Sequence, residues 1–161
     1  MPAIRFNPLA AGLLDRYSLG NRADYDRSAI QMARAVRMTK KILIVDDEPS
    51  IIVPLQFLME QNGFETTVAF SGEEAMEAIV SNPPDLILLD IMLPIIDGFE
   101  VCQRVRERSE WDQVRIVMIT AMGSEANIAK GLALGADAYI TKPFSNAAVV
   151  EKVKELLEAG R

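Results

Sequence analysis

The 161-residue chain contains no histidine and a single cysteine, Cys102. Without histidine, His-based acid–base catalysis, His-ligated metal sites and phosphohistidine chemistry within this chain are all excluded. A lone cysteine cannot close an internal disulfide, which fits a reducing cytoplasm. No apolar stretch nears the roughly 20 residues that cross a bilayer, and no signal peptide with an apolar middle opens the chain. No membrane partner is therefore expected, and the location expected is cytoplasmic. The first 38 residues lack Lys and Glu altogether and hold six Arg against three Asp; the rest carries eleven basic and twenty acidic residues. The net charge of -6 argues against a direct nucleic-acid face on the main body.

What is present is ordinary for a soluble domain: half of the residues are hydrophobic and a quarter charged. The break in charge near Met38 divides the chain into an extension, residues 1–38, and one domain, residues 39–161. The extension reads as poorly ordered or partly helical, with Ile30, Ala33 and Val36 on one side of a basic helix at 28–38. An arm that packs on the domain or mediates assembly stays open; three Asp residues speak against a targeting peptide.

From Lys40 onward, short apolar runs alternate with helix-period segments five times. The expected strands are 41–46, 65–70, 85–90, 114–120 and 137–141. The expected helices are 49–62, 72–81, 98–109, 124–134 and 145–159. Such alternation with short loops gives an α/β fold: a doubly wound five-stranded parallel sheet with helices on both faces. The second strand, Glu65–Phe70, is the least apolar and belongs at an edge, which sets the order 2-1-3-4-5. Pro49 suits a first helical turn, Ser71 an N-cap with Glu74 three residues on, and Gly63 and Gly135 helix ends. Pro54 is the misfit, predicting a kink or a late start in the first helix.

Four of the apolar runs stop at a polar residue. Ile42–Val45 ends at Asp46-Asp47, Leu86–Leu89 at Asp90, Val117–Ile119 at Thr120, and the last strand at Lys142. In the order 2-1-3-4-5 the sheet reverses between strands 1 and 3, and ligands bind at that crevice on the carboxyl side. A single strand-terminal Asp serves equally well as a helix N-cap. Three on adjacent strands repel one another unless a cation compensates, and Mg²⁺ suits one or two carboxylates with water and a phosphate oxygen. With Lys142 and Thr120 at the same rim, the set forms a clamp for a phosphoryl group. In the absence of Ser–His or Cys–His pairs, a carboxylate is the nucleophile candidate, and Asp90 on the central strand is the best placed.

These stretches carry a resemblance. KILIVDDEPS (41–50), PDLILLDIMLPIIDGFEV (84–101), VRIVMITA (114–121) and GADAYITKPFS (135–145) resemble, in order, the receiver (CheY-like) domain of two-component response regulators. The likeness covers residues 40–159 and includes the separations of 43, 30 and 22 residues from Asp47 to Asp90, to Thr120 and to Lys142 in turn. It implies that Asp90 is the phosphoacceptor, serving a sensor histidine kinase or histidine phosphotransfer protein. It implies a Mg²⁺ site of Asp46, Asp47, Asp90 and the Met92 backbone carbonyl, with Lys142 on the phosphate and its bond to Pro143 cis. It makes Thr120 the hydroxyl that moves toward the phosphoryl group and Tyr139 the aromatic that rotates inward, with small Ala121 leaving room. Tyr139 reads equally as a half-buried strand aromatic. Cys102, Met59 and Met76 read as core, and the acids of the second and fifth helices as solvated faces.

The resemblance implies a switch that catalyses only its own phosphorylation and dephosphorylation, not an enzyme with a separate substrate. The chain reaches Arg161 just past the fifth helix, so the expectation is a single-domain switch with no output domain. It would act by contact with a downstream protein not named by the sequence, or as a phosphorelay intermediate. A receiver-fold binding module without phosphorylation is the other reading. Against the winged-helix branch, Ala138 stands for the second acid of its GADD and Ala148 for an early Glu of its last helix. Asp137 and Lys152 remain, which leaves a phosphorylation-dependent dimer open. Met92 and Met122, two residues past Asp90 and Thr120, cannot orient an attacking water, so slow self-dephosphorylation is expected.

Overall fold

The computed structural model describes residues 39–159; the extension, with its expected helix at 28–38, lies outside the described residues. Five strands run β1 (Lys41–Val45), β2 (Glu65–Ala69), β3 (Leu86–Leu89), β4 (Arg115–Thr120) and β5 (Ala138–Thr141). Five helices alternate with them: α1 (Pro49–Gln61), α2 (Gly72–Ser81), α3 (Gly98–Arg106), α4 (Glu125–Ala133) and α5 (Asn146–Glu158). All neighbouring strands are parallel, in the order β2-β1-β3-β4-β5.

Strand alternation builds two cores. Leu43, Val45, Ile87, Leu89, Ile116 and Met118 face one side, where Ala75 and Ile79 of α2 and Val101, Cys102 and Val105 of α3 cover them. Ile42, Ile44, Leu86, Leu88, Val117 and Ile119 face the other, against Ile52, Leu55 and Met59 of α1 and Val149 and Val153 of α5. A strand covered on both faces must be apolar at every position, and β3 is buried along its whole length. The edge strand β2 instead alternates, with Thr66 and Val68 only half buried.

The helix ends follow their local chemistry. The Ser71 hydroxyl accepts from the Glu74 N–H at 3.2 Å while the Glu74 carboxylate accepts from the Phe70 N–H at 2.8 Å, a reciprocal cap. Asp97, Ser124 and Ser145 cap α3, α4 and α5 with their side chains alone, each accepting from the N–H three residues on. Gly63 and Gly135 leave their helices at φ of 84° and 98°, a region that favours glycine.

One expectation is narrowed and one is corrected. The first helix does not start late: it begins at Pro49 and continues through Pro54. Pro54 sits on the exposed side, where water can satisfy the carbonyl that its ring leaves without a partner. The third helix stops at Arg106 rather than 109. Arg108 turns extended and a single 3₁₀ turn, Ser109–Trp111, follows. That break buries the Trp111 indole to 3% exposure, and the Arg108 guanidinium lies 4.8 Å from the centre of its ring.

Gly98 opens α3 against the end of β3. A Cβ there would lie 2.2 Å from the Asp90 carbonyl oxygen and 2.7 Å from the Ile91 Cα, both backbone atoms that cannot swing aside. Gly98→Ala is expected to cost about 2–3 kcal/mol, read as a lowered midpoint in chemical denaturation with an unchanged slope.

Candidate functional site

Register places two acids side by side. Val45 pairs with Leu89, so Asp46 and Asp90 leave adjacent strands at the same level. The ladder carries them one residue beyond the strands: the Asp90 N–H donates to the Val45 carbonyl at 2.9 Å and the Asp46 N–H to Ala69 at 3.2 Å. Both acids are buried, at 2% exposure for Asp46 and 4% for Asp90. One cation serves the two. Lys142 Nζ donates to Asp46 Oδ2 at 2.7 Å and stands 3.6 Å from Asp90 Oδ2. The Lys142 N–H is itself tied to the Thr120 carbonyl at 2.9 Å, and the peptide bond to Pro143 is cis.

The remaining carboxylate oxygens take backbone donors. Asp46 Oδ1 accepts from the Glu48 N–H at 2.9 Å, and Asp90 Oδ1 from the Ile91 and Met92 N–H groups at 2.8 and 3.4 Å. Burial pushes the Asp46 carboxyl above its usual value; bonds from Lys142 and Glu48 oppose this, and the Asp90 charge adds to it. For Lys142, burial alone would lower the pKa. The Asp46 hydrogen bond and the charges of Asp90, Asp46 and Glu48 together outweigh it, so Lys142 titrates above its ordinary value. Pairing thus stabilises the ammonium without compensating the burial of Asp46. The site carries an excess of negative charge, as two acids sharing one base must.

The acid group whose oxygens lie within 4.8 Å of one another is Asp46, Asp47 and Glu48. Asp47 and Glu48 are exposed and Asp46 is buried, so the group opens to solvent. Three hard oxygen donors at the end of one strand fit a divalent cation such as Mg²⁺. Asp90 stands beside this group, linked to it through Lys142. Glu48 had not been singled out from the sequence, although the run Asp46-Asp47-Glu48 offered the signal. It occupies the N-cap position of α1, yet its side chain makes no capping bond. Met92 lies on the loop after β3 with its side chain exposed.

Thr120 and Tyr139 form a second half of the site. Thr120 is fully buried, and its hydroxyl accepts from the Met122 N–H at 3.3 Å. The Tyr139 hydroxyl donates to the Met122 carbonyl. Both bonds run to Met122, not to Asp90. Burial raises the Tyr139 phenol, and the Asp90 charge adds to the effect, so the two halves feel one another electrostatically.

Two further expectations bear on the surface. Cys102 is wholly buried and its thiol is pushed up to about 11 by burial, in keeping with a core role. Asp137 is no surface acid. Its carboxylate accepts from Arg106 at 3.0 Å, Arg115 at 2.9 Å and the Ile116 N–H at 2.8 Å. Only Lys152, joined to Glu155 at 2.6 Å, is left at the surface of the pair that kept a dimer open. Among the described residues, no helix is long and apolar enough to cross a membrane.

The order of the parallel strands defines a doubly wound α/β protein, and its charged cluster lies at the β1–β3 switch point on the carboxyl side of the sheet. The chain belongs to the response regulator receiver domain family, whose model matches residues 42–154. The alkaline phosphatase synthesis transcriptional regulatory protein PhoP of Bacillus subtilis is 47% identical over 120 residues, covering 74% of this chain and 49% of PhoP. The phosphate regulon transcriptional regulatory protein PhoB of Rhizobium meliloti is 40% identical over 124 residues, 77% of this chain and 55% of PhoB. The chain therefore spans about half the length of the curated relatives it matches. Among solved structures, the receiver domain of a Francisella response regulator aligns at TM-score 0.70 and 34% identity, over 74% of this chain and 98% of that one. A CheY-like receiver domain protein from Methanospirillum hungatei aligns at 0.69 and 34%, over 74% and 94%.

The charge arrangement makes a pH-dependent prediction. Lys142 has a raised folded pKa, so its contribution to stability is fully present below about pH 10 and is lost as pH rises through the folded value. Asp46, also raised, destabilises the fold as pH rises through its own folded value. Lys142→Ala leaves both acids without an ammonium and is expected to cost about 3 kcal/mol near neutral pH. The loss should shrink as pH is lowered through the Asp46 value, which denaturation at a series of pH values measures; a deficit that is constant with pH would contradict the assignment.

Proposed function

We propose that this receiver domain is a phosphorylation-dependent signalling switch of a two-component system, acting in the cytoplasm. The observation that supports this best is the buried Asp90 carboxylate facing Lys142 at 3.6 Å, beside the open acid group of Asp46, Asp47 and Glu48. A carboxylate oxygen of Asp90 attacks the phosphorus of a phosphohistidine on a sensor histidine kinase or histidine phosphotransfer protein. The P–N bond breaks, the imidazole leaves, and an acyl phosphate remains on Asp90. Beyond this transfer and the hydrolysis of the acyl phosphate by water, which releases inorganic phosphate, no enzymatic activity is assigned.

Each neighbour then has a task. Lys142 meets the phosphoryl oxygens as a fixed positive charge. Asp46, Asp47 and the Met92 carbonyl, with Asp90 itself and now Glu48, would hold Mg²⁺, which when bound neutralises charge on the phosphoryl oxygens. The Thr120 hydroxyl accepts from Met122 but keeps its own proton, which it can donate to a phosphoryl oxygen. The phosphoryl group brings about -1.5 to -2 charge. It shifts the loop from β4 to α4 only by binding one arrangement better than another. The output is contact with another protein, or onward transfer in a phosphorelay.

The two curated relatives favour a second reading of the output. Both are transcriptional regulatory proteins about twice as long as the matched region. On that reading the same switch would control a DNA-binding partner domain in a longer regulator. The size of the native protein, compared with this chain by immunoblot of the source cells, separates the two.

Incubation with acetyl phosphate and Mg²⁺ is expected to add one phosphoryl mass to the protein, and to add none to Asp90→Asn. Labelling of the Asp90→Asn variant at equal yield would exclude Asp90 as acceptor. The exposed thioether of Met92 offers an attacking water no strong hydrogen-bond partner. The phosphorylated protein is therefore expected to decay more slowly than its Met92→Asn variant, as followed by mass spectrometry after removal of the donor.

A further inference from the structure

The tie from Tyr139 to Met122 depends on a residue that has no side chain. Gly131 is the buried residue of α4, set inside the helix where glycine is weaker than alanine. A Cβ at Gly131 would lie 3.1 and 3.2 Å from Cδ2 and Cε2 of the Tyr139 ring and 2.8 Å from Met118 Sδ. Register explains why both neighbours are there: Met118 of β4 pairs with Tyr139 of β5, and both pack with the same core. The sulfur belongs to a flexible side chain and can move aside. The ring cannot do so freely, because its backbone is fixed in the sheet and its hydroxyl is held by the Met122 carbonyl.

The chain of contacts continues. Met122 donates its N–H to the Thr120 hydroxyl at 3.3 Å, and the Thr120 carbonyl accepts from the Lys142 N–H at 2.9 Å. One end of the chain is thus the face of α4 and the other is the lysine that meets Asp46 and Asp90. We infer that Gly131 is a positioning residue: the space left by its missing side chain holds the Tyr139 ring against α4, where its hydroxyl secures Met122 beside Thr120. A helix surface remote from the acids thereby sets the resting place of the loop that carries Met122. The consequence for signalling rests on the reading of Asp90 as phosphoacceptor; the placement of the ring does not.

The test uses Gly131→Ala in the full chain. The Tyr139 ring signal, identified by its loss in Tyr139→Phe, and the Met122 amide signal are followed by NMR. Both are expected to shift in Gly131→Ala, while Asp90 still gains a phosphoryl group from phosphoramidate, since none of the site's charged groups touches Gly131. The second arm is a thermal-denaturation cycle. In a Tyr139→Ala background, Gly131→Ala relieves a helical glycine with no ring to crowd, and the midpoint should rise. With Tyr139 present the gain should shrink or reverse, the non-additivity expected of two residues in contact. Unchanged Tyr139 and Met122 signals, or an equal gain in both backgrounds, would overturn the inference. If phosphoramidate labels neither protein while the signals move, the placement of the ring holds and the Asp90 reading is what fails.

Discussion

Two buried carboxylates share one ammonium, and the rest of the structure is arranged around that imbalance. Asp46 and Asp90 are brought together by the register of β1 and β3, and Lys142 reaches them from the end of β5. Burying ions this way is seldom the most stable solution, because well-packed apolar groups of similar volume do as well or better. The Asp46 carboxyl is raised by burial despite its bond to Lys142. The excess negative charge at this rim favours a cation there, as two acids sharing one base do.

The loop that follows Asp90 is held tightly enough to keep that arrangement. Gly98 lets the start of α3 approach the Asp90 carbonyl, and Gly72 lets α2 approach Ile96, whose carbonyl would lie 2.3 Å from a Cβ. Between them the chain turns on short bonds from Leu93 to Ile91 and from Ile96 to Pro94. Ile95 pays in conformation, at a φ of 68° that a β-branched residue rarely adopts. Its side chain is 90% exposed. The strain sits in the segment that leads from Asp90 to α3 and is anchored at both ends.

Across the rim, Thr120 and Tyr139 are joined to each other through the two polar groups of one peptide residue, Met122. That geometry couples a hydroxyl deep in the sheet to an aromatic ring packed on α4. The ring in turn lies over a glycine. The helix face and the acid cluster are thus linked by the packed ring and four hydrogen bonds, from Tyr139 to Met122, Met122 to Thr120, Lys142 to Thr120 and Lys142 to Asp46. The Arg106–Asp137–Arg115 cluster fastens the opposite end of the same strands.

The fold was legible because its signals are local. Apolar runs of strand length, a polar second strand, Ser71 with Glu74, and Gly63 and Gly135 each act over a few residues, and together they specify element order and the edge position of β2. The acids at the ends of β1 and β3 were legible for the same reason: a parallel sheet sends every strand's carboxyl end to one rim. The end of α3 was not legible because Arg108 turns extended where Trp111 is buried. Glu48 was not legible because only the fold shows that its side chain makes no capping bond and lies with Asp46 and Asp47. Spacing placed Asp46, Asp90 and Lys142 at the same edge. Only the packed sheet decided that one ammonium is shared unequally by two acids, that Thr120 and Tyr139 meet at Met122, and that Gly131 makes room for the ring. Those are contacts between residues far apart in the chain, and their distances exist only once the strands have paired.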